Sequence, residues 1–448
     1  MSTHQLPQPC PFYQNPLTES NLPGLRAKEI HLCGDYTAVN LITRILAGID
    51  QAPIIHNYTR LSPLSVARRS LEGDLTELKR GDCLVTFSRT AIYSLKRMVE
   101  SKTSLKCAVI YGSLPPETRN DQARLFNQGQ YDVLVASDAV GMGLNLNIGR
   151  IIFEKTRKFN GSDVVPVPVS QIKQIAGRAG RFNSDFADGV VTTLYPRDGS
   201  YVKQCVGADL SLQTRAGLAP TLDQVRVLAR QCPNDKFSEV LGKFQDLATL
   251  EGNYFLCNLE EQMEIADLIE DLDLTIEDRY ILVLTPVSLS IEGHKELLVA
   301  LARAHATKTH ITIRDVISVF LRVPTSPELL MKWEFSHKSI IAYLWLSYRF
   351  PKTFKDLKGA MYLKTCVEAV IEEALETMDF SKKKKKVLRQ PFDTATLATH
   401  PTSQPPAKKP EVGELVEALL VRKGIKEEDF DLVVNEIVEL PDGELLRY

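Results

Sequence analysis

DVLVASDAVGMGLNL, residues 132–146, decides how the rest of the chain is read. Val133 to Ala136 run without a polar interruption, and Ser137-Asp138 and Gly141-x-Gly143-x-Asn145 follow at once. A strand with no alternation is buried on both faces, as in a parallel sheet. CLVTFS (83–88), CAVIYG (107–112), RIIFE (150–154) and VVTTLY (190–195) repeat the pattern. TAIYSLKRMVES (90–101) and ETRNDQARLFNQG (117–129), between the first pairs, have helical period and mixed charge. Strand, helix and strand in succession predict a parallel α/β sheet, with candidate sites in the loops at the carboxyl ends of the strands.

Outward from this block the pattern changes. EIHLCG (29–34) reads as a strand, VNLITRIL (39–46) as a helix and PIIHNYTRL (53–61) as an extended piece. From about 208 the strands stop. PTLDQVRVLARQC (220–232), FSEVLGKFQDLATL (237–250), EEQMEIADLIEDL (260–272) and HKELLVALARAHA (294–306) have amphipathic helical period. TIRDVISVFLR (312–322), SIIAYLWLSYRF (339–350) and TCVEAVIEEALETM (365–378) continue it. The aromatics of YLWLSYRF read as core anchors ahead of a base-stacking platform.

The expected organisation is a disordered 1–24, the remnant of a preceding lobe with an interlobe segment at 25–70, a sheet domain at 71–207 and an all-α domain at 208–380. A Lys-rich, then Pro/Ser/Thr-rich linker occupies 381–412, and a short helical tail 413–448. Lys382 to Lys386 read as a solvated tail, a nucleic-acid contact or a nuclear signal.

The chain has 448 residues, 44% hydrophobic and 25% charged, in the range of ordinary globular proteins. Its net charge of −2 confines any nucleic-acid surface to a local patch. No apolar run reaches membrane-span length. Eight cysteines include no Cys-x-x-Cys pair, so no metal site is expected, and Cys83 and Cys107 read as buried thiols.

QIAGRAGR (174–181) carries the most specific chemistry. Arg178 and Arg181 stand three apart in a glycine-rich turn behind Gln174. Guanidiniums on a short rigid turn suit the charge that develops on a transferring phosphoryl group. The competing reading is a surface pair salt-bridged to its own domain. The Ser137-Asp138/Gly141-x-Gly143 turn could likewise hold an anion or be an ordinary strand-to-helix turn.

In chain order, CLVTFS, VIYGSLPPETR, ASDAVGMGLNL and QIAGRAGR resemble motifs IV to VI of superfamily-two helicases, in the second of their two RecA-like lobes. GDCLVTFSRTAIYSL, AVIYGSLPPETR, GMGLNLNIGRIIF, QIAGRAGRF, EGNYFLCN (251–258) and YLWLSYRF resemble, more closely, the Suv-three-type DExH-like RNA helicases of the mitochondrial RNA degradosome. The resemblance covers about residues 25 to 350.

It implies a RecA-like helicase C-terminal lobe followed by an α-helical domain, ATP with Mg²⁺ as cofactor, and RNA and an exoribonuclease as partners. It also implies the mitochondrial matrix, with a nuclear pool left open. Arg178 and Arg181 would be fingers on the γ-phosphate, with Gln174 positioning the attacking water or the fingers. Gly143 and Asn145 would line the nucleotide, Asp138 would couple it to RNA, and Ser137, Ser88 and Arg89 would touch the RNA backbone.

ATP hydrolysis in such enzymes also needs a Gly-x-x-x-x-Gly-Lys-Ser/Thr loop and an acidic pair for Mg²⁺. The only Gly-Lys pair is Gly242-Lys243, with Phe237 and Phe244 at the first-glycine and hydroxyl positions, and no Asp-Glu dipeptide occurs. The chain is therefore expected to be the C-terminal part of a longer helicase, with the phosphate loop and any presequence upstream. Three functions stay open: that helicase, a non-hydrolysing RNA- or nuclease-binding module, and a DNA translocase.

Overall fold

The computed structural model describes residues 28–160, 163–247, 252–317 and 323–377, with 438–439 and 445–446. Expectations for 1–24 and 381–412 lie outside these residues. So does most of the tail, whose described parts, Val438–Glu439 and Leu445–Leu446, pair antiparallel. The chain divides into a sheet unit (61–206, 318–337, 361–448) and a helical unit (1–60, 207–317, 338–360).

Helix α1 (Val39–Ala47) belongs to the helical unit. The sheet unit opens with β1 (Leu64–Val66), β2 (Asp82–Val85), α2 (Arg89–Lys102), β3 (Cys107–Ile110), α3 (Pro116–Asn127), β4 (Val133–Ala136) and β5 (Arg150–Phe153). The hairpin β6 (Arg157–Phe159) and β7 (Val164–Pro166) follows, then α4 (Val169–Ala176), β8 (Gly189–Thr193) and α5 (Gly199–Gly207).

The main sheet is parallel throughout, in the order β1-β8-β5-β2-β4-β3. β2 is central, with Leu84 opposite both Val135 and Ile152. All residues of β2, β3 and β4 are buried, which is why their sequences are unbroken. The one charge among them, Asp82, is met by Arg150 through Nε at 2.9 Å and Nη2 at 2.6 Å. Phe126 of α3, Ile172 and Ile175 of α4 and Val202 of α5 pack with Val85, Ile110, Leu134 and Ile151 in one core. The five expected strands and both crossover helices form where their apolar runs put them.

The strand expected at 29–34 does not form. Ile30 and Leu32 are exposed, and no described strand pairs with them. Alternation alone cannot hold a strand whose backbone groups lack a neighbour.

The helical unit continues with β9 (Ala216–Leu218), α6 (Leu222–Gln231), α7 (Phe237–Leu247), β10 (Tyr254–Leu256), α8 (Glu260–Leu268) and α9 (Ile276–Val283). α10 (His294–Ala306) and α11 (Ile313–Val316) follow. α12 (Pro327–Arg349) and α13 (Leu357–Thr377) give residues 338–349 and 357–360 to this unit and the rest to the sheet unit. Val225, Val240, Leu241, Ile265, Val283 and Leu298, one or two from each of α6 to α10, form its core.

Strands therefore do not stop at 208: β9 and β10 pair in parallel, Ala216 opposite Tyr254. Three residues each are too few to show a period. Leu41 and Ile45 of α1 pack with Ala216 and Tyr254, and Arg44 Nη2 donates to Thr214 O at 2.9 Å.

Candidate nucleotide and nucleic-acid site

Because the six strands run one way, their carboxyl ends share one edge, from which Ser88, Arg89, Ser137 and Asp138 leave. Gln174, Arg178 and Arg181 lie on and after α4, on the approach to β8. Ser88 and Arg89 follow β2, Ser113 follows β3, and Ser137 and Asp138 follow β4. Thr86 N donates to Ala136 O at 2.9 Å, so β2 and β4 stay together into their loops.

Ser137 converts β4 into a short 3-10 turn, its Oγ accepting from Ala139 N at 3.1 Å. Asp138 is exposed, and its Oδ2 accepts from Gln171 Nε2 at 2.7 Å. Gln171 Oε1 in turn accepts from Lys158 Nζ at 2.8 Å. Sequence reasoning took Gln174 and missed Gln171, although the two stand three apart and so share a face of α4. Gln174 is exposed and lies over the loop: a Cβ on Gly141 would come 3.7 Å from its Cγ and Cδ.

The turn after α4 is seated by close backbone packing. Gly180 has φ +76° and donates to Ile148 O at 2.7 Å, and a Cβ there would fall 2.4 Å from Gly189 N. Only glycine fits. From this seat Arg178 turns back on the Gly-x-Gly-x-Asn loop. Its Nε and Nη2 lie 3.0 and 2.5 Å from Gly141 O, and its Nη1 lies 3.2 Å from Leu144 O. Carbonyls satisfy donors without cancelling charge. Among the described residues neither Arg178 nor Arg181 pairs with a carboxylate, which removes the salt-bridged surface-pair reading. Burial lowers the Arg178 pKa from its ordinary value. A guanidinium partly withdrawn from water, with N–H groups to spare, suits an anion.

Arg181 is exposed, its Nη1 3.3 Å from Asn147 Oδ1. Gly143 has φ +73° and open space where a Cβ would stand, so a ligand can approach its backbone. Asn145 is exposed while its carbonyl accepts from Asn127 Nδ2 at 2.8 Å; Asn127 Oδ1 accepts from Asn147 N, also at 2.8 Å. The last residue of α3 thus staples the loop.

Ser88 Oγ is 2.9 Å from Thr90 Oγ1. Arg89 is engaged within its own unit: Nη1 is 2.8 Å from Glu334 Oε2, and Nη2 donates to Ser113 Oγ at 2.6 Å. Tyr111 Oη donates to Glu334 Oε1 at 2.5 Å, and Tyr93 Oη is 2.6 Å from Tyr111 Oη. Burial, then Tyr93 and the Glu334 carboxylate, raise the Tyr111 pKa well above its usual value. No local pattern in the sequence pointed to Glu334, 245 positions beyond Arg89.

The described residues hold one group at metal-ligand spacing, Glu117, His337 and Glu368, with ligand atoms within 4.8 Å of one another. Lys364 Nζ lies 2.7 Å from both Glu117 Oε1 and Glu368 Oε1, so an ammonium already answers those carboxylates. Burial would raise the Glu117 pKa, but hydrogen bonds with Glu368 and Lys364 outweigh it and hold the group at about 2.

The structure therefore gathers Arg178, Gln174, Gly143 and Asn145 around one loop, with Ser137 and Asp138 at its entry and Ser88 on the adjoining strand end. It sets Arg181 on Asn147 and Arg89 on Glu334.

The helicase conserved C-terminal domain family matches residues 67–183. The Suv3 C-terminal domain 1 family matches 264–306, and the ATP-dependent RNA helicase SUV3 C-terminal domain family 330–377. The mitochondrial DExH-box ATP-dependent RNA helicase DExH16 of Arabidopsis thaliana is 40% identical over 356 residues, 79% of this chain and 62% of its own length. The mitochondrial ATP-dependent RNA helicase SUV3 of Oryza sativa subsp. japonica is 39% identical over 385 residues, 84% of this chain and 66% of its own. DExH18 of Arabidopsis thaliana, also a mitochondrial ATP-dependent RNA helicase, is 37% identical over 366 residues, 81% and 47%. The chain thus spans about half to two thirds of the length of these relatives. Matching domains from the parallel sheet through to α13, it belongs to the Suv3-type family of superfamily-two helicases.

Proposed function

We propose that this chain is the phosphate-sensing and RNA-gripping part of an ATP-dependent RNA helicase of the mitochondrial matrix, one that unwinds RNA and feeds an exoribonuclease. One observation carries the reading: Arg178 is held by the carbonyls of Gly141 and Leu144, with its charge uncompensated, beside a loop open at Gly143. Arg178 and Arg181 would stabilise the charge that gathers on the transferring γ-phosphoryl group. Gln174 would orient the attacking water, and Gly143 and Asn145 would meet the nucleotide. Asp138, through Gln171, would relay its state towards RNA on Ser137 and Ser88. Arg89 would join them only on leaving Glu334.

The open backbone and unpaired guanidiniums fit a nucleotide. The one described group of three ligand-type side chains, Glu117, His337 and Glu368, already holds Lys364, and no step here runs through the metal.

The test is Arg178→Ala in the ATP-hydrolysing protein that contains this chain. RNA-stimulated ATP hydrolysis should fall by roughly 10³-fold or more, with RNA affinity within twofold. Loss of RNA binding, or unchanged hydrolysis, overturns the finger role. RNA binding that never responds to nucleotide, without hydrolysis, would favour the binding-module reading. Equal affinity for DNA of matching sequence would favour the translocase.

A further inference from the structure

Residues 144–148 pass between the turn that carries the two arginines and the end of α3. Leu144, Leu146 and Ile148 enter the core of the sheet unit, while Asn145 is exposed and Asn147 half-buried, the alternation of an extended strip. Successive residues of such a strip send their backbone groups to opposite edges. On one edge Leu144 O accepts from Arg178 Nη1 at 3.2 Å, and Ile148 O accepts from Gly180 N at 2.7 Å. On the other, Asn145 O and Asn147 N each lie 2.8 Å from the side chain of Asn127, which ends α3. Among the described residues no strand pairs with that second edge.

A neighbouring strand would bring a donor to Asn145 O and an acceptor to Asn147 N. Asn127 brings both on one planar amide, Nδ2 donating and Oδ1 accepting. What that amide fixes bears on Arg181, whose side chain is exposed and whose Nη1 meets Asn147 Oδ1 at 3.3 Å. Among the described residues this is the one side-chain hydrogen bond of Arg181, so the place of Asn147 sets the direction of the guanidinium.

We propose that Asn127 is a positioning residue for ATP hydrolysis, holding Asn147 where it aims Arg181 at the γ-phosphate. The proposal rests on the finger role given to Arg181 above and extends it to a side chain on another element. Asn127 touches no ligand in this role; it acts through the backbone of residue 147 and then through the Asn147 side chain. A finger stabilises charge only from the right place, and a displacement of about 1 Å can cost roughly 10²-fold in rate.

The test is single-turnover ATP hydrolysis, with RNA present, by the ATP-hydrolysing protein that contains this chain. Asn127→Ala should slow it by roughly tenfold to a hundredfold. Asn147→Ala, which removes only the acceptor that Arg181 uses, should slow it comparably. In an Arg181→Ala background, Asn127→Ala should cost about twofold or less, because no guanidinium is left to aim. A loss of folded protein would instead lower the rate by one factor in both backgrounds. Binding supplies a second readout: Asn127→Ala should weaken ADP with aluminium fluoride, a mimic of the transferring phosphoryl group, about tenfold or more, and ADP alone about twofold or less. Equal factors in the two backgrounds, equal weakening of the two ligands, or a normal rate in Asn127→Ala or Asn147→Ala overturns the proposal and leaves the finger reading standing. A normal rate in Arg181→Ala removes that finger, and the proposal falls with it.

Discussion

Arg178 commits Nε and one N–H from each terminal nitrogen to two backbone carbonyls, and that commitment fixes its direction. A lysine holding both carbonyls would keep a single N–H for a ligand, whereas the guanidinium keeps two in a fixed fork. The seat is as specific as the side chain. Gly180→Ala forces a Cβ to within 2.4 Å of Gly189 N at φ +76° and should destabilise the fold by roughly 3 kcal/mol. Gly143→Ala, at a similar φ with open space around it, should cost only about 1–2 kcal/mol. Urea unfolding of the two variants measures the difference, and equal losses would remove the packing argument. The motif residues were legible because glycine, glutamine and arginine recur at fixed offsets. The inward turn of Arg178 was not, since nothing local says which carbonyls a guanidinium will find.

Elements were legible to the extent that burial is written in unbroken apolar runs. β2 to β5 and β8 announce themselves this way; β9 and β10, three residues each, do not. At 29–34 the reading failed because a short apolar stretch says nothing of whether a strand has a neighbour to pair with. Long-range pairing is less legible still: within the sheet unit Glu334 of α12, 3% exposed, accepts from both Arg89 and Tyr111. Glu334→Ala strands a guanidinium and a buried phenol and should cost about 3–5 kcal/mol. Replacing Arg89 by Met and Glu334 by Leu together should cost markedly less, because no unpaired charge is left. A double-mutant cycle by urea unfolding decides. Additive losses would show that the pair does not act as a unit.

At the scale of the whole molecule, averages conceal local charge: a net charge of −2 says nothing of the seven exposed lysines and arginines within residues 303–314 and 345–358. Cysteine placement was more readable, and Cys83 and Cys107 are buried as expected. Burial, then the neighbouring Glu100 carboxylate, pushes the Cys107 thiol up to about 12, and burial alone raises Cys366 to about 11. Among the described residues a disulfide reagent should therefore modify exposed Cys33 first, reaching Cys83, Cys107 and Cys366 only as the protein unfolds. Peptide mapping against time checks this order, and early labelling of Cys107 would contradict it.

Helix α3, twelve residues and roughly 18 Å long, is anchored at both extremities: Asn127 grips the backbone at 145 and 147, and Glu117 holds Lys364 of α13. A helix resists compression along its axis, so it acts as a strut. An axial shift of the loop beside Arg178 must therefore be matched by strain at Lys364 or by the parting of that ion pair.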